Sequence, residues 1–123
     1  MHNFKRLTVW KRSIDLAIRC YRQTETFPRT ERYGLSSQIQ RAAVSVASNI
    51  AEGSSRPTPR EFARYLQIAY GSGCELETQL LIAQSLGIGK PDELQSIMDE
   101  VEEIRRMLYG LMATTTATTP SRG

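Results

Sequence analysis

QIQRAAVSVASNIAEG, residues Gln38 to Gly53, spells a helix of an uncommon kind. At about 100° per residue, Gln38, Arg41, Ser45, Asn49 and Glu52 fall within one arc of about 80°. Ile39, Ala42, Ala43, Val46 and Ile50 fill the adjoining arc, and Val44, Ala47 and Ala51 carry the apolar surface round the far side. An ordinary surface helix has one apolar stripe and a broad polar face. This one has a narrow polar stripe and is small and apolar elsewhere, which predicts burial on more than one side.

Working outward, the preceding segment predicts a helix over about Leu7 to Thr26. Leu7, Trp10, Ile14, Ala17, Ile18 and Tyr21 recur at steps of three and four and form its expected core face. Phe27-Pro28 ends it, because a residue before proline is pushed out of the α region. Ser36 or Ser37 is the expected N-cap of the central helix, and Gly53 its expected left-handed C′ residue. Thr58-Pro59-Arg60-Glu61 combines a capping box with a proline at the first helical position. It opens a third helix running to about Leu86, with Phe62, Leu66, Ala69, Gly73, Leu76, Leu80 and Ala83 on one face. Gly71 and Gly73 inside that helix predict a close backbone approach, with the alanine-rich central helix as the neighbour. Gly87-Ile88-Gly89 closes the third helix and Pro91 opens a fourth. Its seam is Leu94, Ile97, Met98, Val101, Ile104, Leu108 and Leu111. Strand-like alternation is absent. The expectation is all-α: an antiparallel up-down-up-down four-helix bundle over residues 1–112 and a disordered tail over 113–123.

The chain's 123 residues make one domain able to bury its own core. No apolar run approaches the roughly 20 residues of a membrane span, and MHNFKRLTVWKR lacks a signal-peptide core, so a cytoplasmic location with no membrane role is expected. Cys20 and Cys74 lie in helical patterns and read as small buried residues. With one histidine, His2, near the start of the chain, no metal site, cofactor site or Cys/His nucleophile is expected. The charge is uneven: Met1–Arg64 holds 12 Lys/Arg against 5 Asp/Glu, and Tyr65–Gly123 holds 4 against 8. Such asymmetry points to an anionic partner, or to helices that attract one another.

The combined pattern resembles a known family. Its residues are Leu7, Val9 and Trp10; Phe27-Pro28, Glu31, Tyr33-Gly34-Leu35 and Gln38-Ile39; Arg41-Ala42-Ala43, Ser45-Val46 and Asn49-Ile50-Ala51-Glu52-Gly53; then Glu61-Phe62, Ile68-Ala69, Gly71-Ser72 and Glu75-Leu76-Glu77-Thr78-Gln79-Leu80. They resemble the four-helix-bundle proteins encoded by intervening sequences of bacterial 23S ribosomal RNA genes, and their stand-alone relatives. The resemblance covers the chain to about Gly87. It implies a bundle assembled as a ring, a homopentamer, and brings no established activity. The accessory protein of diversity-generating retroelements, a basic pentameric barrel thought to engage a reverse transcriptase and RNA, is distantly similar in architecture.

Two sets of residues stand out. Gln38, Arg41, Ser45, Asn49 and Glu52, with Ser72, Glu75 and Gln79 opposite, are expected to form a buried polar network, with a binding site as the alternative. Lys11, Arg12, Arg19, Arg22, Arg56, Arg60 and Arg64 are candidates for a basic nucleic-acid-binding surface. Tyr33 and Tyr70 are too few for a single-strand stacking platform. The expected function is non-enzymatic: an oligomer that binds RNA or an RNA–protein complex, with a protein-binding scaffold as the alternative. The outward apolar residues Val44, Ile68, Leu81 and Ile82 point to self-association, unless the segment Asn3–Val9 covers them.

Overall fold

Four long helices carry the fold of the computed structural model, which describes residues 3–117. They are α1 (Thr8–Thr24), α2 (Leu35–Ser54), α3 (Pro59–Ser85) and α4 (Pro91–Ala117). Short 3-10 turns at Phe4–Arg6 and Arg29–Glu31 precede α1 and α2, and no strand occurs among the described residues. α2 packs on α1 and α3, α4 packs on α3 and α1, and the diagonal pairs do not touch. Cross-helix bonds give the directions. Arg12 meets Glu100 while Arg19 meets Glu93, so α1 and α4 run oppositely. Glu77 meets Arg105 while Gln84 meets Gln95, so α3 and α4 do too. Ser45 meets Ser72 while Gly53 abuts Tyr65, which reverses α2 against α3. The expected all-α four-helix bundle is present.

The core faces of α3 and α4 follow their periodicity. Phe62, Leu66, Ala69, Leu76, Leu80 and Ala83 face Leu94, Ile97, Val101, Ile104 and Leu108 in one buried cluster, and Leu111 is half-buried. α1 departs from expectation. Its buried strip is Val9, Ser13, Leu16 and Cys20, whereas Ile18 and Tyr21 are exposed and Trp10, Ile14 and Ala17 half-buried. The core strip is disguised by Ser13, whose hydroxyl donates to the Val9 carbonyl at 2.7 Å and so enters the core with its polarity satisfied. Cys20 is buried as expected, but Cys74 is exposed, because its position on α3 faces away from both neighbours.

Three boundary expectations also change. α2 begins at Leu35 with Gly34 as its N-cap, and no side chain caps it; Ser36 and Ser37 lie inside the first turn. Gly53 remains helical, and positive φ occurs among the described residues only at Gly87 and Gly89. Those two shape the turn between α3 and α4, which Gln23 pins by accepting a hydrogen bond from the Lys90 N–H. α4 continues to Ala117, five residues into the segment expected as a tail; residues 118–123 lie outside the described residues.

The glycines do different work from that expected. A Cβ on Gly53 would lie 2.6 Å from the Tyr65 Cβ and 3.1 Å from the Phe62 ring, so α2 and α3 approach each other closely at Gly53. A Cβ on Gly73 would meet the Arg105 stem of α4 at 3.0 Å, and one on Gly71 would meet nothing within 4 Å. Gly53→Ala is therefore expected to destabilise the protein by about 1–3 kcal/mol through overpacking. Gly71→Ala is expected to stabilise it by about 0.5–1 kcal/mol, since only backbone entropy changes. Thermal melts of the two variants should shift in opposite directions; equal shifts would contradict this placement.

Candidate nucleic-acid interface

The polar stripe of α2 divides into three parts. Ser45 and Ser72 share a hydrogen bond of 2.8 Å between hydroxyls, and Asn49 donates to the Ser45 hydroxyl at 3.0 Å and to its carbonyl at 2.8 Å. This small, half-buried cluster bridges α2 to α3. One helical turn on, Glu52 pairs with Arg56 at 2.6 Å, and Arg56 also donates to the Tyr65 hydroxyl and lies over its ring. The third part is open. Gln38, Arg41, Glu75 and Gln79 line a surface cleft of about 380 Å³ with Ala42 and Ser45. Among the described residues, the exposed Arg41 and Glu75 make no ion pair and the buried Gln79 Oε1 has no hydrogen-bond partner. The single closed network is thus replaced by two local clusters and a cleft, because Arg41 and Glu75 lie too far round their helices to be enclosed.

The basic candidates are split by ion pairing. Arg12 forms a two-pronged bond to Glu100, which raises its pKa. Arg19 reaches Glu93 at 3.2 Å and the Ser96 hydroxyl at 2.8 Å. With Arg56 held by Glu52, these three are committed within the chain. On α4, Arg105 is bound by Glu77 and Tyr70; burial, the largest single influence, works against its charge, but the hydrogen bonds to these two residues and the negative charge of Glu77 together raise its pKa. Arg106 pairs with Glu102 and Glu103. Lys11, Arg22, Arg60 and Arg64 are exposed and free of ion pairs among the described residues. Lys11 and Arg22 lie on α1 and Arg60 and Arg64 on α3, helices that do not touch, so one subunit does not join them in one patch. Periodicity alone overlooked Arg29 and Arg32, which are also exposed and unpaired. Their only signal was a short polar connector dense in arginine.

The family model for the 23S rRNA-intervening sequence protein matches residues 5–110. The chain belongs to that family. A crystal structure of a protein of unknown function from the S23 ribosomal protein family of Bacteroides thetaiotaomicron VPI-5482 is similar, with a TM-score of 0.74 and 25% identity. The similarity covers 85% of this chain and 98% of that one. No curated protein matches. The matched region spans all four helices, including the open cleft and the free arginines.

No described helix is long and apolar enough to cross a membrane. No group of three or more His, Cys, Asp or Glu suited to a metal occurs among the described residues. Burial pushes the Cys20 thiol up to about 12, which keeps it protonated at neutral pH. A thiol reagent at pH 8 is therefore expected to modify one cysteine per native chain, Cys74, and both after denaturation. Mass spectrometry showing rapid native labelling of Cys20 would contradict the packing of α1.

Proposed function

We propose that this family member is a non-enzymatic oligomer whose basic side binds RNA. The observation that carries the reading is the segregation of charge. α4 presents Asp92, Glu93, Asp99, Glu100, Glu102 and Glu103, and these acids neutralise Arg12 and Arg19 of α1 and Arg106 of α4 itself. The exposed cations without ion pairs concentrate on the other elements: Lys5, Arg6, Lys11, Arg22, Arg29, Arg32, Arg41, Arg60 and Arg64. Exposed guanidiniums without ion pairs suit phosphate contacts, which release counterions and add per contact.

Self-association is the second half of the proposal. The 3-10 turn Phe4–Arg6 packs on α1 and α2, and Phe4 sits edge-on to Trp10. Even with that segment in place Val44 is 42% exposed, Ile68 43% and Leu81 53%, with Ile82 and Leu86 beside them on the outer side of α3. A second copy of the chain would cover this apolar surface. The resemblance noted above makes a closed ring of five the expected form, and a ring would repeat the two separated basic groups around its axis. A protein-binding scaffold is the competing reading, favoured by the same apolar surface.

Binding to mixed-sequence RNA is expected at micromolar concentration or below near 50 mM salt, falling steeply as salt rises. Replacing Arg60 and Arg64 by glutamate should weaken it for all sequences alike; absence of parent binding would favour the scaffold. Light scattering is expected to give several times the chain mass of 13.9 kDa. Val44→Glu should lower that mass or cause aggregation by placing an unpaired charge in the contact. A parent mass equal to one chain would remove the oligomer.

A further inference from the structure

The connector between α1 and α2 builds a second cleft, of about 560 Å³, that lies apart from the polar stripe. Tyr21 and Tyr33 both line it, 45% and 87% exposed. Tyrosine that exposed gains little from its own fold, so its ring is open to another flat partner. Arg32 lies over the Tyr33 ring at 5.5 Å, and Arg29 lines the same cleft. Neither arginine has an ion pair among the described residues, in contrast to Arg12, Arg19, Arg56, Arg105 and Arg106.

Two further features face the same space. Ser36 and Ser37 line the cleft, and neither hydroxyl makes a hydrogen bond among the described residues. Ser36 is only 6% exposed as a residue, and its hydroxyl lies at the cleft wall without a hydrogen bond among the described residues. These serines occupy the first turn of α2, whose N-terminus has no side-chain cap and carries the partial positive charge of the helix. Glu25 also lines the cleft and opposes an anion there; two guanidinium groups and the helix end outnumber it.

We propose that this cleft holds a nucleotide of single-stranded RNA, its base stacked on Tyr33 or Tyr21 and its phosphate met by Arg29, Arg32 and the serine hydroxyls of α2. Each observation supplies a separate part: aromatic faces for the base, unpaired guanidiniums and free hydroxyls for the phosphate. Tyr21 joins Tyr33 in one cleft, whereas the sequence offered Tyr33 and Tyr70 as too few for a stacking platform. The inference rests on the RNA-binding reading and sharpens it from a diffuse basic side to a defined contact.

The test compares a labelled oligouridine of about 12 nucleotides with an RNA duplex of similar length, both titrated with the full-length chain near 50 mM salt. Tyr33→Ala is expected to weaken oligouridine binding by about tenfold and leave duplex binding within about twofold; Tyr33→Phe should retain it, since stacking does not need the hydroxyl. Arg29→Ala and Arg32→Ala should each lower the salt dependence by about one phosphate contact. Arg60→Glu with Arg64→Glu should weaken both probes. If that pair weakens binding while Tyr33→Ala and Tyr21→Ala leave oligouridine affinity unchanged, the cleft is excluded and the basic side stands. If the parent binds neither probe, both readings fall. If Tyr33→Ala instead lowers the assembly mass in light scattering, the cleft is a contact between copies and the nucleotide proposal is overturned.

Discussion

A helix can lie between two neighbours only if its side chains let both approach. α2 meets that constraint with Ala42, Ala43, Ala47 and Gly53 among its buried residues, leaving Ile39, Val46 and Ile50 to fill the space between layers. At Gly53 the backbone comes so near α3 that even a methyl group would overlap Tyr65. This close seating of α2 on α3 sets the bundle's geometry. With α2 in contact with both α1 and α3, those two helices are forced to diagonal corners, and α4 closes the fourth side. The distribution of charged groups over the surface follows from that arrangement.

α4 closes the bundle with carboxylates as well as with its apolar seam. Arg12 and Arg19 reach it from α1, and Glu77 and Tyr70 hold Arg105 from α3. Partly exposed pairs of this kind add little stability one by one. Their larger effect is on what remains. They consume basic residues on the α4 side and leave the free arginines on the connector, on α3's first turns and on the outer faces of α1 and α2. A net charge of only +3 thus hides an uneven surface, with cations paired along α4 and free cations on the other elements.

Periodicity revealed most of this fold and failed where a helix carries two apolar strips. α3 and α4 each have one dominant seam, and every seam residue is buried except the half-buried Leu111, with Ser72, Gln79 and Thr115 buried in addition. α1 has two strips. The aromatic one, with Trp10 and Tyr21, looks more hydrophobic, while the true core strip contains Ser13, whose hydroxyl is satisfied only once the helix exists. The glycines mislead for a similar reason. Gly53 stands at a helix end, where a left-handed turn is the common explanation, so its role in close packing is invisible without the neighbour. The polar stripe was legible as a set of residues but not as a network, because enclosure depends on angular differences of a few tens of degrees between Ser45, which reaches Ser72, and Arg41, which does not.

The connector between α1 and α2 shows how function can hide in a segment that contributes little to the core. Read as sequence, Arg29 to Gly34 is a polar loop between two helices. In three dimensions Phe27 anchors it in the core, and the start of α2 folds Ser36 almost completely out of solvent. Backbone carbonyls one turn back are the usual acceptors for a serine hydroxyl in a helix. Ser36 lies in the first turn, where Ser13's solution of bonding a carbonyl four residues earlier is not used. Its hydroxyl and that of Ser37 therefore remain uncommitted beside two unpaired arginines and two exposed tyrosine rings. A core requirement, the seating of α2 against α1, thus places unspent polar and aromatic groups together on one surface. This arrangement gives the basic side of the molecule a defined cleft as well as a general attraction for anions.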